Sequence, residues 1–223
     1  MKIFYLLPLL VLASCANDKQ KTGTDRPDSL SIPDMTVNNQ QMLKLRKLWV
    51  QGEFDGDPGK DTIRQHTFSG VSGREIDAGP DPKQVDQPVI ENWYANQKSD
   101  VYLSFKEKGK DTLHFDGAQG LYCLLNVGDN NGDGKDEIAL VVNGTGQNRV
   151  NRCFIYTLCD REWTIIKDFG VHEDAFSFEG AEAPVFTEIK DHLEQHDGKW
   201  VYKGYPENAG IMTALLTDKC IQR

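Results

Sequence analysis

Residues 128–142 read GDNNGDGKDEIALVV. Asp129, Asn131 and Asp133 alternate along the stretch, Gly134 follows, and Glu137 leads directly into an apolar run. Few folds accept so many like charges in so short a turn. The chain must reverse sharply, aim these side chains at a common point, and begin a buried strand as soon as the reversal ends. With Asp129 as position one, Asn131 is three, Asp133 five, Gly134 six, Lys135 seven and Glu137 nine. Glycine at position six accepts positive φ. The position-seven carbonyl then turns inward, so Lys135 offers its backbone oxygen. Oxygen donors so arranged suit calcium, which takes oxygen ligands at about 2.3–2.6 Å. A divalent cation reverses the repulsion among Asp129, Asp133 and Glu137. The competing reading is a metal-free Asn/Asp/Gly turn between strands.

An EF-hand requires a bidentate Glu at position twelve and flanking helices. Position twelve is Leu140, and the flank reads as strand. Through Asp129, Asn131, Asp133, Gly134 and Glu137, followed by IALVV, the stretch instead resembles the DxDxDGxxD loop of FG-GAP and VCBS repeat proteins. That resemblance implies a loop joining two strands of a propeller blade, with calcium held by Asp129, Asn131, Asp133, Glu137 and the Lys135 carbonyl. Those families carry several full repeats. Here one further, weaker copy is present, GEFDGDPGKDTI at 52–63, which aligns with Pro58 as an insertion. It nominates Glu53, Asp55, Asp57 and Asp61 as a second metal site.

The remaining pattern is that of β structure. VYLSF (101–105) and TLHF (112–115) flank a turn and read as a hairpin. LYCLLNV enters the acidic loop and EIALVV leaves it. RCFIYTL, the turn CDRE and WTIIKDF form another hairpin. DHLEQH and KWVYKG flank Asp197-Gly198, the strongest turn signal in the chain. Residues 38–48, NNQQMLKLRKL, read as one short N-terminal helix with Asn38 or Asn39 as its cap. The expected fold is therefore mainly β, with antiparallel hairpins forming a partial propeller or a sandwich.

The N-terminus carries a different signal. In MKIFYLLPLLVLASC, Lys2 precedes an apolar run of about ten residues, too short to span a bilayer core of roughly 30 Å. Leu12-Ala13-Ser14-Cys15 resembles a bacterial lipobox. This implies a signal peptide over 1–14, acylation of Cys15, anchoring in the lipid bilayer and, with Ala16 next, an outer-membrane destination in the cell envelope. Residues 15–37 then read as the lipidated Cys and a polar tether, and 38–223 as a single β-rich domain. The net charge is −9, and loss of Lys2 with the signal peptide makes it −10. No Lys/Arg-rich run occurs, which argues against nucleic-acid binding. Cys123, Cys153, Cys159 and Cys220 permit disulfides in an exported chain, and their pairing stays open.

No catalytic constellation emerges. His192 and His196 lie in HLEQH, not HExxH, and read as a solvated strand. His66, His114 and His172 stand isolated. FSGVSG is not GxSxG, and Gly144-Thr145-Gly146 lacks a following GK[ST]. Trp163 and Trp200, each just after a turn, read as cross-strand packing. The function expected is a non-enzymatic, calcium-stabilised cell-envelope module that binds a protein or glycan. Residues 121–168 are also similar to periplasmic lipoproteins that inhibit lysozyme-like enzymes, which implies GTGQN (144–148) as an inhibitory loop. A glycan-active hydrolase of the envelope is the third reading.

Overall fold

A computed structural model describes residues 37–105, 111–146, 150–176, 187–205 and 213–214. The chain enters through one 3-10 turn, Asn39–Gln41, and β1 (Met42–Lys44). Strands β2 (Trp49–Gly52), β3 (Asp61–Ser69), β4 (Arg74–Glu75) and β5 (Ala78–Pro80) precede helix α1 (Gln87–Gln97). Next come β6 (Ser99–Phe105), β7 (Leu113–Phe115), β8 (Ala118–Gly128) and β9 (Glu137–Gly144). They lead to β10 (Val150–Cys159), β11 (Glu162–His172) and a second 3-10 turn, Glu173–Ala175. Strands β12 (Leu193–His196), β13 (Lys199–Tyr202) and β14 (Thr213–Ala214) complete the described elements.

The protein is mostly β, and its strand pairings are antiparallel. One sheet runs β2-β3-β6-β7 with β4 on β3, a second runs β11-β10-β9-β8, and β1-β5 and β12-β13-β14 form two smaller ones. The four-stranded sheet is buried on both faces. Leu121, Leu124, Ile138, Leu140 and Tyr156 pack with Leu48, Phe54, Ile63, Val101, Leu103 and Phe115 of the five-stranded side. From the opposite face Cys123, Leu125, Val127, Ala139, Val141 and Ile155 pack on Leu193, Trp200 and Phe176. The layers make a sandwich with an extra flank, and among the described residues no sheet closes into a barrel. Burial on both faces explains the unbroken run IALVV: a strand without a wet face has no reason to alternate.

All four expected strand pairs form. Val101 faces Phe115 and Leu103 faces Leu113. The two later hairpins close on residues with positive φ at both central positions, Asp160 and Arg161 (49° and 67°) and Asp197 and Gly198 (51° and 77°). This is the turn whose twist matches paired strands. Trp163 then sits opposite Leu158 and Trp200 opposite Gln195.

The helix expected over 38–48 is confined to the single turn 39–41. Asn38 does cap it, accepting from the Gln40 and Gln41 amides at 2.9 and 3.2 Å, while Gln41 Oε1 accepts from the Asn38 amide. The turn does not propagate because Met42–Lys44 pair with Ala78–Pro80. The α-helix lies instead at 87–97. Pro88 sits in its first turn, Lys98 closes it in the left-handed region at φ 47°, and Ile90 and Tyr94 are buried.

Cys159 is disulfide-bonded, whereas Cys123 and Cys153 are buried free thiols. These two flank Val141 across three adjacent strands, and burial raises both thiol pKa values. Cys15, expected to be acylated, the expected signal peptide and most of the expected tether lie outside the described residues.

Candidate metal centre

The loop between β8 and β9 is shaped by its own short polar side chains. Gly128, Gly132 and Gly134 all take positive φ, between 72° and 83°. Asp129 Oδ1 accepts from the Gly132 amide at 2.7 Å and Oδ2 from the Gly134 amide at 2.9 Å. Asn131 Oδ1 accepts from the Asp133 amide at 2.8 Å, and Asp133 Oδ1 from the Lys135 amide at 2.9 Å. Each anion thus folds back over the loop and takes amide donors from its own chain. Asp133 Oδ2 takes a further bond, from Asn131 Nδ2 at 3.2 Å. The Lys135 side chain leaves the cluster: Nζ donates to the Leu158 carbonyl at 2.9 Å, and its methylenes cover Gly56.

Among the described residues, Asp129, Asp133 and Glu137 form the group of acids whose oxygens converge, all within 4.8 Å of one another. Oxygens bound to one calcium at about 2.3–2.6 Å cannot lie more than roughly 5 Å apart, so this spacing suits a shared centre. The three differ in access to water. Asp129 is exposed, Asp133 partly buried, and Glu137 wholly buried. Glu137 Oε2 accepts from the Asn130 amide at 2.7 Å and from Asn130 Nδ2 at 3.3 Å. Among the described residues its Oε1 has no hydrogen-bond partner. Burial pushes the Glu137 carboxyl up to about 7, and the Asp133 charge adds to the rise while bonds from Asn130 and the Thr157 side chain oppose it. A buried carboxyl with an unpartnered oxygen beside two other carboxylates is costly on its own. A cation there would satisfy that oxygen. The donor set is all oxygen, which suits calcium better than zinc or copper, and several protein ligands suit calcium better than magnesium.

The 53–61 loop lies alongside and is built differently. Glu53, Asp55, Asp57 and Asp61 do not converge as the later trio does. Asp55 Oδ1 accepts from the Asp57 amide at 2.9 Å, and Asp61 Oδ2 from the Phe54 amide at 3.2 Å. Burial raises the Asp61 pKa, with the Asp55 charge contributing.

The two loops that align in sequence are joined in space, which the sequence did not reveal. The Asp136 amide donates to the Glu53 carbonyl at 2.7 Å, and the Glu53 amide donates to Asp136 Oδ2 at 3.0 Å. Asn126 Nδ2 donates to the same Oδ2 at 2.7 Å and to the Gln51 carbonyl at 3.0 Å. Asn126, Asn130 and Asp136 are therefore the residues that position the loop. Their only sequence signal is a short polar side chain, beside a nominated ligand for Asn130 and Asp136 and three residues before one for Asn126.

The two histidines of HLEQH are engaged with their own neighbours. His192 Nδ1 donates to the Lys203 carbonyl at 2.8 Å, and His196 lies 3.3 Å from Glu194. The four tryptophans have different settings: Trp200 is in the core, Trp163 stacks on Phe105, Trp93 meets Tyr94 edge-on, and Trp49 is exposed. In the loop nominated as inhibitory, the Thr145 amide donates to the Gly117 carbonyl, and residues 147–148 lie outside the described residues. Compared with family models, curated proteins and solved structures, the chain matches none.

Proposed function

We propose that this chain is a calcium-stabilised module of the cell envelope, lipid-anchored through Cys15, that binds a protein or glycan. The observation carrying the metal half is the buried, unpartnered Oε1 of Glu137, set among carboxylates no more than 4.8 Å apart. Asp129, Asn131, Asp133, Glu137 and the Lys135 carbonyl would hold the ion. Calcium supplies charge neutralisation there and no redox or hydrolytic chemistry. The chain's own residues do the rest. Asn130 orients Glu137, and Asp136 with Asn126 ties the loop to Gln51 and Glu53 on the neighbouring sheet. A filled loop would therefore hold the 53–61 and 128–137 loops together as one surface. The lipobox-like Leu12-Ala13-Ser14-Cys15 supports the envelope location.

The test is thermal unfolding of the mature chain in calcium and in chelator, repeated on Asp133→Ala. Extracellular modules bind calcium at about 10⁻⁴ to 10⁻³ M. Millimolar calcium should raise the wild-type Tm and leave the variant unmoved. An unchanged wild-type Tm overturns the metal half. Calcium-dependent retention on isolated cell-wall glycan, compared with retention on immobilised envelope protein, tests the binding half.

A further inference from the structure

We propose that Ser104, His66 and Glu75 form a nucleophile–base–carboxylate relay on the outer face of the five-stranded sheet, able to cleave acyl esters. Three strands assemble it. Ser104 lies on β6, His66 on β3 and Glu75 on β4, so residues isolated in sequence become neighbours through sheet register. Ser104 Oγ lies 3.0 Å from His66 Nε2, and His66 Nδ1 lies 2.6 Å from Glu75 Oε1. Both distances are within direct proton-transfer reach.

The proton positions follow from charge. Lys47 Nζ donates to Glu75 Oε2 at 3.0 Å and to Asp77 Oδ1 at 2.5 Å, which keeps Glu75 ionised and acceptor-only. The single proton of a neutral His66 ring then sits on Nδ1, facing Glu75. This leaves Nε2 as an acceptor for the Ser104 hydroxyl, the tautomer a general base requires. The ring is held in plane by Tyr102, stacked on it at 4.7 Å. Glu75 and His66 therefore each have a supporting contact outside the relay.

The same face offers a receptor for developing negative charge. Arg64 sits directly opposite Ser104 in the ladder, and Trp49 directly opposite Arg64. Opposed residues have Cβ atoms about 4.5–5.5 Å apart. Arg64 is exposed, and its guanidinium pairs with no acid among the described residues. Its stem is long enough to bring the guanidinium to Ser104 Oγ, where an ester carbonyl oxygen would lie. Trp49, also exposed, gives an apolar wall beside it. The face is an open sheet and not a closed cavity, which favours a short acyl ester projecting from an extended polymer laid across the strands.

The reaction balances as ester hydrolysis. Ser104 Oγ bonds to the carbonyl carbon as His66 Nε2 takes its proton, and Arg64 faces the oxyanion. The bond to the alkoxy oxygen breaks, and His66 returns the proton to the leaving alcohol. Water then attacks the acyl-Ser104 carbonyl, giving one proton to His66. Ser104 Oγ leaves, recovers that proton from His66, and the carboxylic acid departs.

The experiment treats the full chain with a fluorophosphonate reagent, maps the adduct by mass spectrometry, and follows p-nitrophenyl acetate hydrolysis. A single adduct on Ser104 is expected, with hydrolysis reduced about 10²- to 10⁴-fold in His66→Gln and abolished in Ser104→Ala. Glu75 is a positioning residue. Glu75→Gln should lower the rate and also shift its pH profile, which a merely structural role would not do. Labelling no faster than in heat-denatured protein, or an adduct on any other serine, overturns the proposal. The wild-type adduct map decides this even if Ser104→Ala fails to fold. Running it in calcium and in chelator separates its outcome from that of the metal loop.

Discussion

A carboxyl group sealed from water, with one oxygen lacking a donor, is stable only when it is protonated or beside a cation. Glu137 is such a group, and this sets two expectations. In chelator, its folded pKa of about 7 lies above the ordinary value of 4.5. The folded state then holds a proton that the unfolded state releases between those values, so stability falls as pH rises through that window. The full rise corresponds to roughly 3 kcal/mol. The metal-free Tm should therefore climb on acidification from pH 8 toward pH 5, and calcium should flatten or reverse the trend. A metal-free Tm that falls steadily over that range would contradict the burial of this group. Asp133 supplies the second expectation, because its charge raises the Glu137 pKa. Asp133→Asn removes repulsion when no ion is present and a ligand when one is. It should be neutral or stabilising by up to about 1 kcal/mol in chelator and destabilising in calcium, so its two unfolding curves cross those of the wild type.

Among the elements, those defined by local chemistry were legible and those defined by distant partners were not. The Asp197-Gly198 turn, the alternation in VYLSF and the apolar run after Glu137 each announce a strand because the cause lies within a few residues. Helix 87–97 was missed since its apolar stripe, Val89, Ile90, Trp93 and Tyr94, is short and interleaved with Gln and Asn. The segment 38–48 was misplaced since its capping residues are genuine, while the strand that captures Met42–Lys44 lies over thirty residues away. The oxygen cluster was readable from alternation within one loop, but the Asp136–Glu53 clasp and the Ser104–His66–Glu75 contacts depend on pairings that no local pattern encodes. Gly52 shows the cost of that clasp. A methyl group there would lie 2.5 Å from Asp136 Oδ2 and 2.7 Å from Phe54 Cζ, and closer still to Asn126 Nδ2. Gly52 is not among the positive-φ glycines, so close approach and not backbone twist demands the small residue. Gly52→Ala should destabilise by about 1–3 kcal/mol, read as a shift in the denaturant midpoint. A substitution that costs nothing would mean that the clasp yields freely.

At the scale of the whole molecule, the acidic loop is also the seam between sheets. β8 and β9 leave the loop on the four-stranded sheet, β2 ends at Gly52 on the five-stranded one, and Asp136, Asn126 and Glu53 bridge them. Ordering the loop must then change the opening free energy of both sheets at this end, because amides on either side share the same acceptors. Hydrogen exchange reads that coupling directly, since protection reports local opening. Calcium should slow exchange at the Asn130, Gly134 and Lys135 amides inside the loop. It should also slow the Glu53 amide, which contacts no nominated ligand of that loop and is bonded only through Asp136. The β12–β13 hairpin, on the far side of the core, should be unaffected at the same calcium concentration. Asp136→Ala separates the two effects: the loop amides should keep their calcium response, while that of Glu53 disappears. If calcium protects the loop alone in the wild type, the ion is a local staple and the two sheets move independently. If it protects Glu53 as well, one ion sets the geometry of a surface drawn from both sheets, as a recognition surface requires.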